Sequence, residues 1–366
     1  MSVTFYYICL LFLIAGCRNT GYTVRETGNP VYRPNVAFQT FEDLHHPGFQ
    51  NLKDKYQLDT IFHGETDEFK RILLLRHWIK QVIKINDHGD PYPGEGFAEG
   101  ILDAALRGQG FHCGHFMTVQ NAIMNAYGYF TRTLGAGPGV EGGPDGHHGI
   151  NEIWLNDYHK WFLSDAKYDQ HFEKNGTPLS ALEVRAAYLK NEAADIVTVK
   201  GPNRTIIDFD HEVERSKERF AQTYTWITWH GNGDYFTSWP DHTGKVVMYQ
   251  DDFYNQNIWF RDGKPCWIYA HEEVLNLVSD KNAIEWTPNT MATEVEIKGN
   301  RATIKLISHT PNLKEYLVKE EPSGEWKSVD EIFKIELEKN KYELTFQTAN
   351  LANIKGPPHQ VVIEAN

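Results

Sequence analysis

Apolar residues recur at intervals of three and four at Phe116, Val119, Ile123 and Tyr127. That spacing predicts a helix with one face against a core, and a glycine-containing turn, GQGFH, ends just before it at Cys113. A second helical period runs through TDEFKRILLLRHWIKQVIK, residues 66 to 84, where Phe69, Ile72, Leu73, Arg76, Ile79 and Ile83 trace one face. Thr66 is the expected cap, with Asp67 and Glu68 in the first turn, where unpaired N–H groups favour acceptors. Shorter helices are expected over FAEGILDAALRG, over Leu179 to Asn191 and over His211 to Thr223.

Elsewhere the period shortens to that of strands. Ile150, Ile153, Trp154 and Leu155 suggest one strand and Trp161, Phe162 and Leu163 another, with NDYHK as the hairpin turn between them. From 288 to 366, segments such as VEIKG, ATIKLISHT and KYELTFQTA alternate apolar and polar positions between Asn-, Pro- and Gly-containing turns. This predicts a small antiparallel β-sandwich of immunoglobulin or fibronectin type, a packing or spacer module. Between Tyr224 and Tyr269 aromatic residues concentrate. They read as a β-rich aromatic core or as a platform for sugar rings or a peptide, in which Trp229, Tyr235 and Trp239 are candidate substrate contacts. Residues 18 to 55 are polar and carry Pro30, Pro34 and Pro47, so they read as a tether leading into an extended N-terminal arm. DPYPGEG at 90 to 96 is a loop. GAGPGVEGGPDGHHG at 135 to 149 lacks the order of a phosphate-binding loop and reads as a mobile loop bordering a cleft.

The chemistry gathers around Cys113. At the first turn of a helix, the unpaired N–H groups and the positive end of the dipole favour an anion, and the thiolate is the reactive form of cysteine. A nucleophile needs a base and a group to orient that base. His148 lies at the start of the expected hairpin and Asp165 near its end, so the hairpin brings them within a few rungs. Cys113, His148 and Asp165 then stand as nucleophile, base and orienting carboxylate. The backbone N–H of Cys113, with Gln109 or His112 as second donor, is the candidate oxyanion site. Glu152 reads as structural. His147, beside His148, is a further substrate-binding candidate.

Gly110, Cys113, Ala122, Ala126, Gly128 and Arg132, followed by His148 with Glu152 and Trp161 with Asp165, form a pattern that resembles the transglutaminase-like superfamily. That superfamily is a circularly permuted relative of papain-type cysteine proteases. The resemblance extends over residues 56 to 190, with H-G-I where H-A-W is usual and with the extra His147. It implies an α+β catalytic core performing acyl transfer through a Cys113 thioester, most simply hydrolysis of an amide or peptide bond, without a cofactor or metal. Five segments follow: 1–17 as a signal peptide, 18–55 as the arm, 56–200 as the core, 201–287 as its aromatic-rich extension and 288–366 as the sandwich.

Residues 1 to 17 carry an apolar run too short to span a bilayer, and LIAGC resembles a bacterial lipobox. Cys17 would then be acylated, anchoring the chain in the cell envelope (the outer membrane in a Gram-negative cell), facing the periplasm or the surface. The alternative is an ordinary signal peptide. A net charge of −13 and the lack of a basic run argue against a nucleic-acid partner. Beyond Cys9 and Cys17 only Cys113 and Cys266 remain, too few for a disulfide framework, although a single Cys113–Cys266 bridge is conceivable. Three rival readings stand beside acyl transfer. His112, Cys113, His115, His147 and His148 have metal-ligand chemistry, though H-C-x-H is crowded for a tetrahedral site. A uronic-acid lyase could use His148 and a nearby tyrosine on a polysaccharide. A catalytically inactive glycan- or peptide-binding lipoprotein would need none of this chemistry.

Overall fold

The computed structural model describes residues 21–26, 28–87, 97–137, 148–190, 192–207 and 275–366, together with 209–210, 215–216, 224, 226–234, 236–238, 246–249, 251, 260–261 and 264–265. Cys9, Cys17, His147, Tyr235, Trp239, Cys266, the 90–96 loop and residues 138–147 lie outside the described residues. The chain is a mixed α/β structure in which sheets predominate.

Four helices come first: α1 (Gly48–Lys55), α2 (Glu68–Val82), α3 (Phe97–Leu106) and α4 (Cys113–Ala126). Helix α4 is the hub and touches the other three. Its apolar positions are filled all round, with Phe116, Val119, Ala122, Ile123, Met124 and Ala126 buried, because neighbours lie on every side. Asp67 rather than Thr66 caps α2, its carboxylate accepting the Lys70 N–H at 2.7 Å. Helix α1 falls within the stretch read as an arm, yet Phe49 and Leu52 are part of the helical core.

A six-stranded sheet lies against α4. It contains β1 (Thr131–Gly137), β2 (His148–Leu155), β3 (Lys160–Ser164), β5 (Trp226–His230), β6 (Val246–Tyr249) and β7 (Leu275–Val278), while β4 (Gln170–Lys174) belongs to a separate four-stranded sheet. The order is β7-β6-β5-β1-β2-β3, antiparallel except for β6 with β7. Alternation along β2 sends Ile153 and Leu155 into the helical core and Ile150 and Trp154 into a second core on the opposite face. That second core is covered by α5 (Ala181–Leu189), which starts with a reciprocal capping box between Ser180 and Glu183. The stretch expected to loop from 135 to 149 is therefore strand at both ends, Gly135 pairing with Gly149 and Ala136 with His148.

The helix expected over His211 to Thr223 is not formed where the chain is described: Arg215–Ser216 pairs antiparallel with Phe209–Asp210. The segment is rich in helix-favouring charged residues, but propensity is a weak prior that pairing overrides.

After Ala292 the chain builds a three-stranded and a five-stranded antiparallel sheet around one apolar core that includes Leu306, Val318, Phe346 and Ile363. The strand Tyr22–Arg25 adds to the edge of the larger sheet, beside His359–Ala365. The N-terminal arm then runs along the molecule, the Arg33 N–H donating to the Thr287 hydroxyl and the Arg33 carbonyl accepting the Thr287 N–H, with Thr40–Phe41 pairing Asn232–Gly233.

Candidate active site

Cys113 opens α4, and His112 is the cap: its Nδ1 accepts the Gly114 N–H at 3.2 Å. The thiol is free and partly buried. The side chains of His112 and His148 and the backbone N–H of Gly149 are the groups that stabilise its thiolate. Gly149 lies over the first turn of α4, with the Gly114 backbone and the Met117 sulfur as its nearest neighbours, so β2 passes close to the cysteine.

In the β2–β3 register Asn151 faces Ser164, which puts Ile150 level with Asp165 and His148 two positions further along the same face. His148 Nε2 meets Asp165 Oδ2 at 2.8 Å, leaving Nδ1 as the ring nitrogen for the sulfur. Both side chains are buried. Asp165 thus holds His148, and His148 in turn acts on the charge of the Cys113 sulfur.

The charges reinforce one another. Burial opposes ionisation of the thiol, but the two imidazoles and the Gly149 N–H outweigh it, and Cys113 is held well below its ordinary pKa. Burial likewise opposes charge on His148, yet the Asp165 carboxylate and the Cys113 sulfur raise it to about 10. Asp165 is lowered despite its burial, chiefly by His148. The resting pair is therefore thiolate and imidazolium, the state suited to attack on a carbonyl.

Asp165 is held by a short turn. It exchanges two backbone hydrogen bonds with Gln170, and its Oδ1 accepts the Tyr168 N–H at 3.3 Å. Asp169 within the turn has φ 51°, a left-handed conformation that aspartate tolerates. The fully buried Arg76 donates to its side chain at 2.9 Å and its carbonyl at 3.3 Å, while His77 Nδ1 meets its other carboxylate oxygen at 2.6 Å. Helix α2 therefore braces the turn that carries the acid. From the same turn Tyr168 stacks on His148, ring centroids 5.5 Å apart and planes 30° apart, and covers the imidazole.

Glu152 sits deeper along β2. It takes a forked pair of bonds from Arg132 at 2.7 and 2.9 Å, the Trp229 Nε1–H at 2.7 Å and, on its other oxygen, the Ala181 N–H at 2.7 Å. The Arg132 guanidinium lies over the Trp161 ring, 4.1 Å from its centroid. One buried ion pair thus joins β1, β2 and β5 to the start of α5.

Trp229 is accordingly not a substrate contact. It is fully buried and bonded to Glu152, because alternation along β5 turns its ring into the second core. Gln109 is half-buried in the turn after α3, its N–H bound to the Ala104 carbonyl at 3.1 Å, and no hydrogen bond joins its side chain to Cys113 among the described residues. His112 caps the helix beside Cys113 and helps lower the thiol. Buried His115 packs against Phe111 and His112, and burial lowers its pKa to about 4. Among the described residues no group of three His, Cys, Asp or Glu side chains is arranged to hold a metal ion. The sequence reading missed Tyr168, Lys167 and the Gly149 N–H; the one available signal was the position of Lys167 and Tyr168 immediately beyond the expected acid.

No family model matches this chain, and no curated protein does. Among solved structures, one described as a "putative cysteine protease" from Cytophaga hutchinsonii aligns with 49% of this chain at 13% identity and a TM-score of 0.28. The chain spans 58% of that protein's length. The transglutaminase of red sea bream aligns with 81% of this chain and 68% of its own at 10% identity and a TM-score of 0.22. The chemical reading rests on the geometry of the site.

Proposed function

We propose that the chain is a cysteine-dependent acyl-transfer enzyme of transglutaminase-like type that hydrolyses an amide or peptide bond. The observation that supports it is the buried row of Cys113, His148 and Asp165 with a depressed thiol and a raised imidazole. In this reading the Cys113 thiolate bonds to the carbonyl carbon, the C–N bond breaks, and the amine leaves with the His148 proton. Water then gives a proton to His148 and adds to the thioester, the C–S bond breaks, and the acid departs. Asp165 holds the imidazole in register throughout. In the same reading residues 1–17 direct export, Cys17 carries the lipid, and the enzyme works at the cell envelope; detergent partitioning of Cys17→Ser checks that part.

One observation favours a second reading. Tyr168 stacks on His148, the pairing that a uronic-acid lyase would use. Burial raises the Tyr168 pKa, so it would serve as the acid, and His148, raised to about 10, would have to give up its proton before serving as the base. Turnover of peptide and polysaccharide panels by wild type and Cys113→Ala separates the two. Hydrolysis predicts loss of turnover by at least a thousandfold in the variant. Full activity of Cys113→Ala would end the cysteine reading.

A further inference from the structure

Lys167 follows Asp165 by two residues and is almost wholly enclosed, with a side chain 5% exposed. A buried ammonium is rare unless paired. Its partner is Asp87 at 2.6 Å, and Asp87 is itself 53% exposed. The ammonium also lies 5.2 Å from the centroid of the Tyr168 ring, and that ring is the one stacked 5.5 Å from His148. The positive charge and the imidazole therefore both lie against the same aromatic ring. No part of the acyl-transfer chemistry above uses it. It does not hold Asp165, which His148 and the turn already satisfy. Lys167 remains charged, since burial is outweighed by Asp87 and the nearby anions, Cys113 among them.

We infer that Lys167 is a specificity residue that recognises a carboxylate on the peptide substrate, with Asp87 occupying that position until the substrate displaces it. This deepens the acyl-transfer reading and rests on it. The arrangement suits exchange: the cation is fixed in the interior beside the site, whereas its anion is solvated and easily released. A neutral substrate gains nothing from that exchange, so an acidic residue beside the scissile amide is favoured.

Alkylation of Cys113 tests this without a known substrate. Iodoacetate and iodoacetamide attack the same thiolate and differ by one negative charge, so the ratio of their rates cancels any change in thiolate population. His148 is common to every variant, so differences in the ratio report Lys167. Lys167→Met should lower the iodoacetate-to-iodoacetamide ratio about five- to tenfold at low ionic strength, and Lys167→Arg should restore most of it. Asp87→Asn, at an exposed position that spares the fold, should raise the ratio by removing the competing carboxylate. An unchanged ratio in Asp87→Asn, or a lower one, would overturn the proposal, as would an unchanged ratio in Lys167→Met. Preferential turnover of uronate-bearing saccharides over acidic peptides would also overturn it. Failure of the acyl-transfer reading shows separately, as turnover by Cys113→Ala.

Discussion

At the scale of single residues, the site depends on charges that hold one another in place. The thiolate–imidazolium pair exists from the lowered Cys113 pKa up to the His148 value of about 10. Under the proposed acyl transfer, activity should therefore rise on the acid side as the thiol ionises and fall on the alkaline side as His148 loses the proton that the leaving amine would take. Asp165→Asn removes the main charge that raises His148. The alkaline limb should then move down, and the acid limb should move up because the thiolate loses part of its cationic partner. A pH–rate profile, or the pH dependence of iodoacetamide alkylation, checks both limbs; a window of unchanged width would show that Asp165 does not set these charges. The positions of Cys113 at a helix start and of His148 beside Asp165 could be read from the sequence because local rules suffice: a helix period behind a glycine turn, and a hairpin of countable length. Tyr168 and Lys167 could not. Their placement depends on the left-handed Asp169 and on Arg76, which arrives from a helix far earlier in the chain.

At the scale of elements, Arg132 and Glu152 are the joint of the catalytic sheet. Arg132→Met should destabilise the fold by about 3–5 kcal/mol, because Glu152 would stay buried with its remaining partners but without a countercharge. Urea denaturation measures the loss, and a change under 1 kcal/mol would argue that water reaches Glu152. Helices α2 to α5 and the β2–β3 hairpin were legible from periodicity, including the turn NDYHK, whereas α1 was not. Trp229 was not. Aromatic density announces a core and a binding platform equally well, and only the neighbours of β5 decide which face is dry. At Arg215–Ser216 the expected helix gives way to strand for a related reason: the charged residues around it suit a helix, but no apolar stripe obliges one.

At the scale of the whole molecule, α4 links two regions. Its N-terminus carries Cys113, and just past its C-terminus Gly128, at φ 76°, is received by the C-terminal sheets, Asn350 donating to the Gly128 carbonyl at 2.8 Å. A Cβ at Gly128 would stand 2.2 Å from Ala352 Cβ. Gly128→Ala should therefore cost about 2–4 kcal/mol through backbone strain and overpacking, measured by thermal or urea unfolding. Cys113 in the remaining folded protein should alkylate at the wild-type rate, since the damage lies at the far end of the helix. The strand at Tyr22–Arg25 has a consequence of another kind. Asn366 donates to the Gly21 carbonyl at 2.9 Å and Tyr22 stands opposite Ala365, so both described ends meet at one corner. Tension drawn through residue 21 loads the outermost rung first and opens the ladder bond by bond, like a zip, the geometry that yields at low force. Peeling would meet Glu26, held by Thr293 and His359, then Asn29, held by Gln360, before it reached Arg33 bonded to Thr287. The twelve residues between those points span at most about 40 Å when fully extended. If Cys17 holds the chain to a membrane, this corner is a mechanical fuse: it lengthens the leash under load while the sheets that carry the chemistry stay shut.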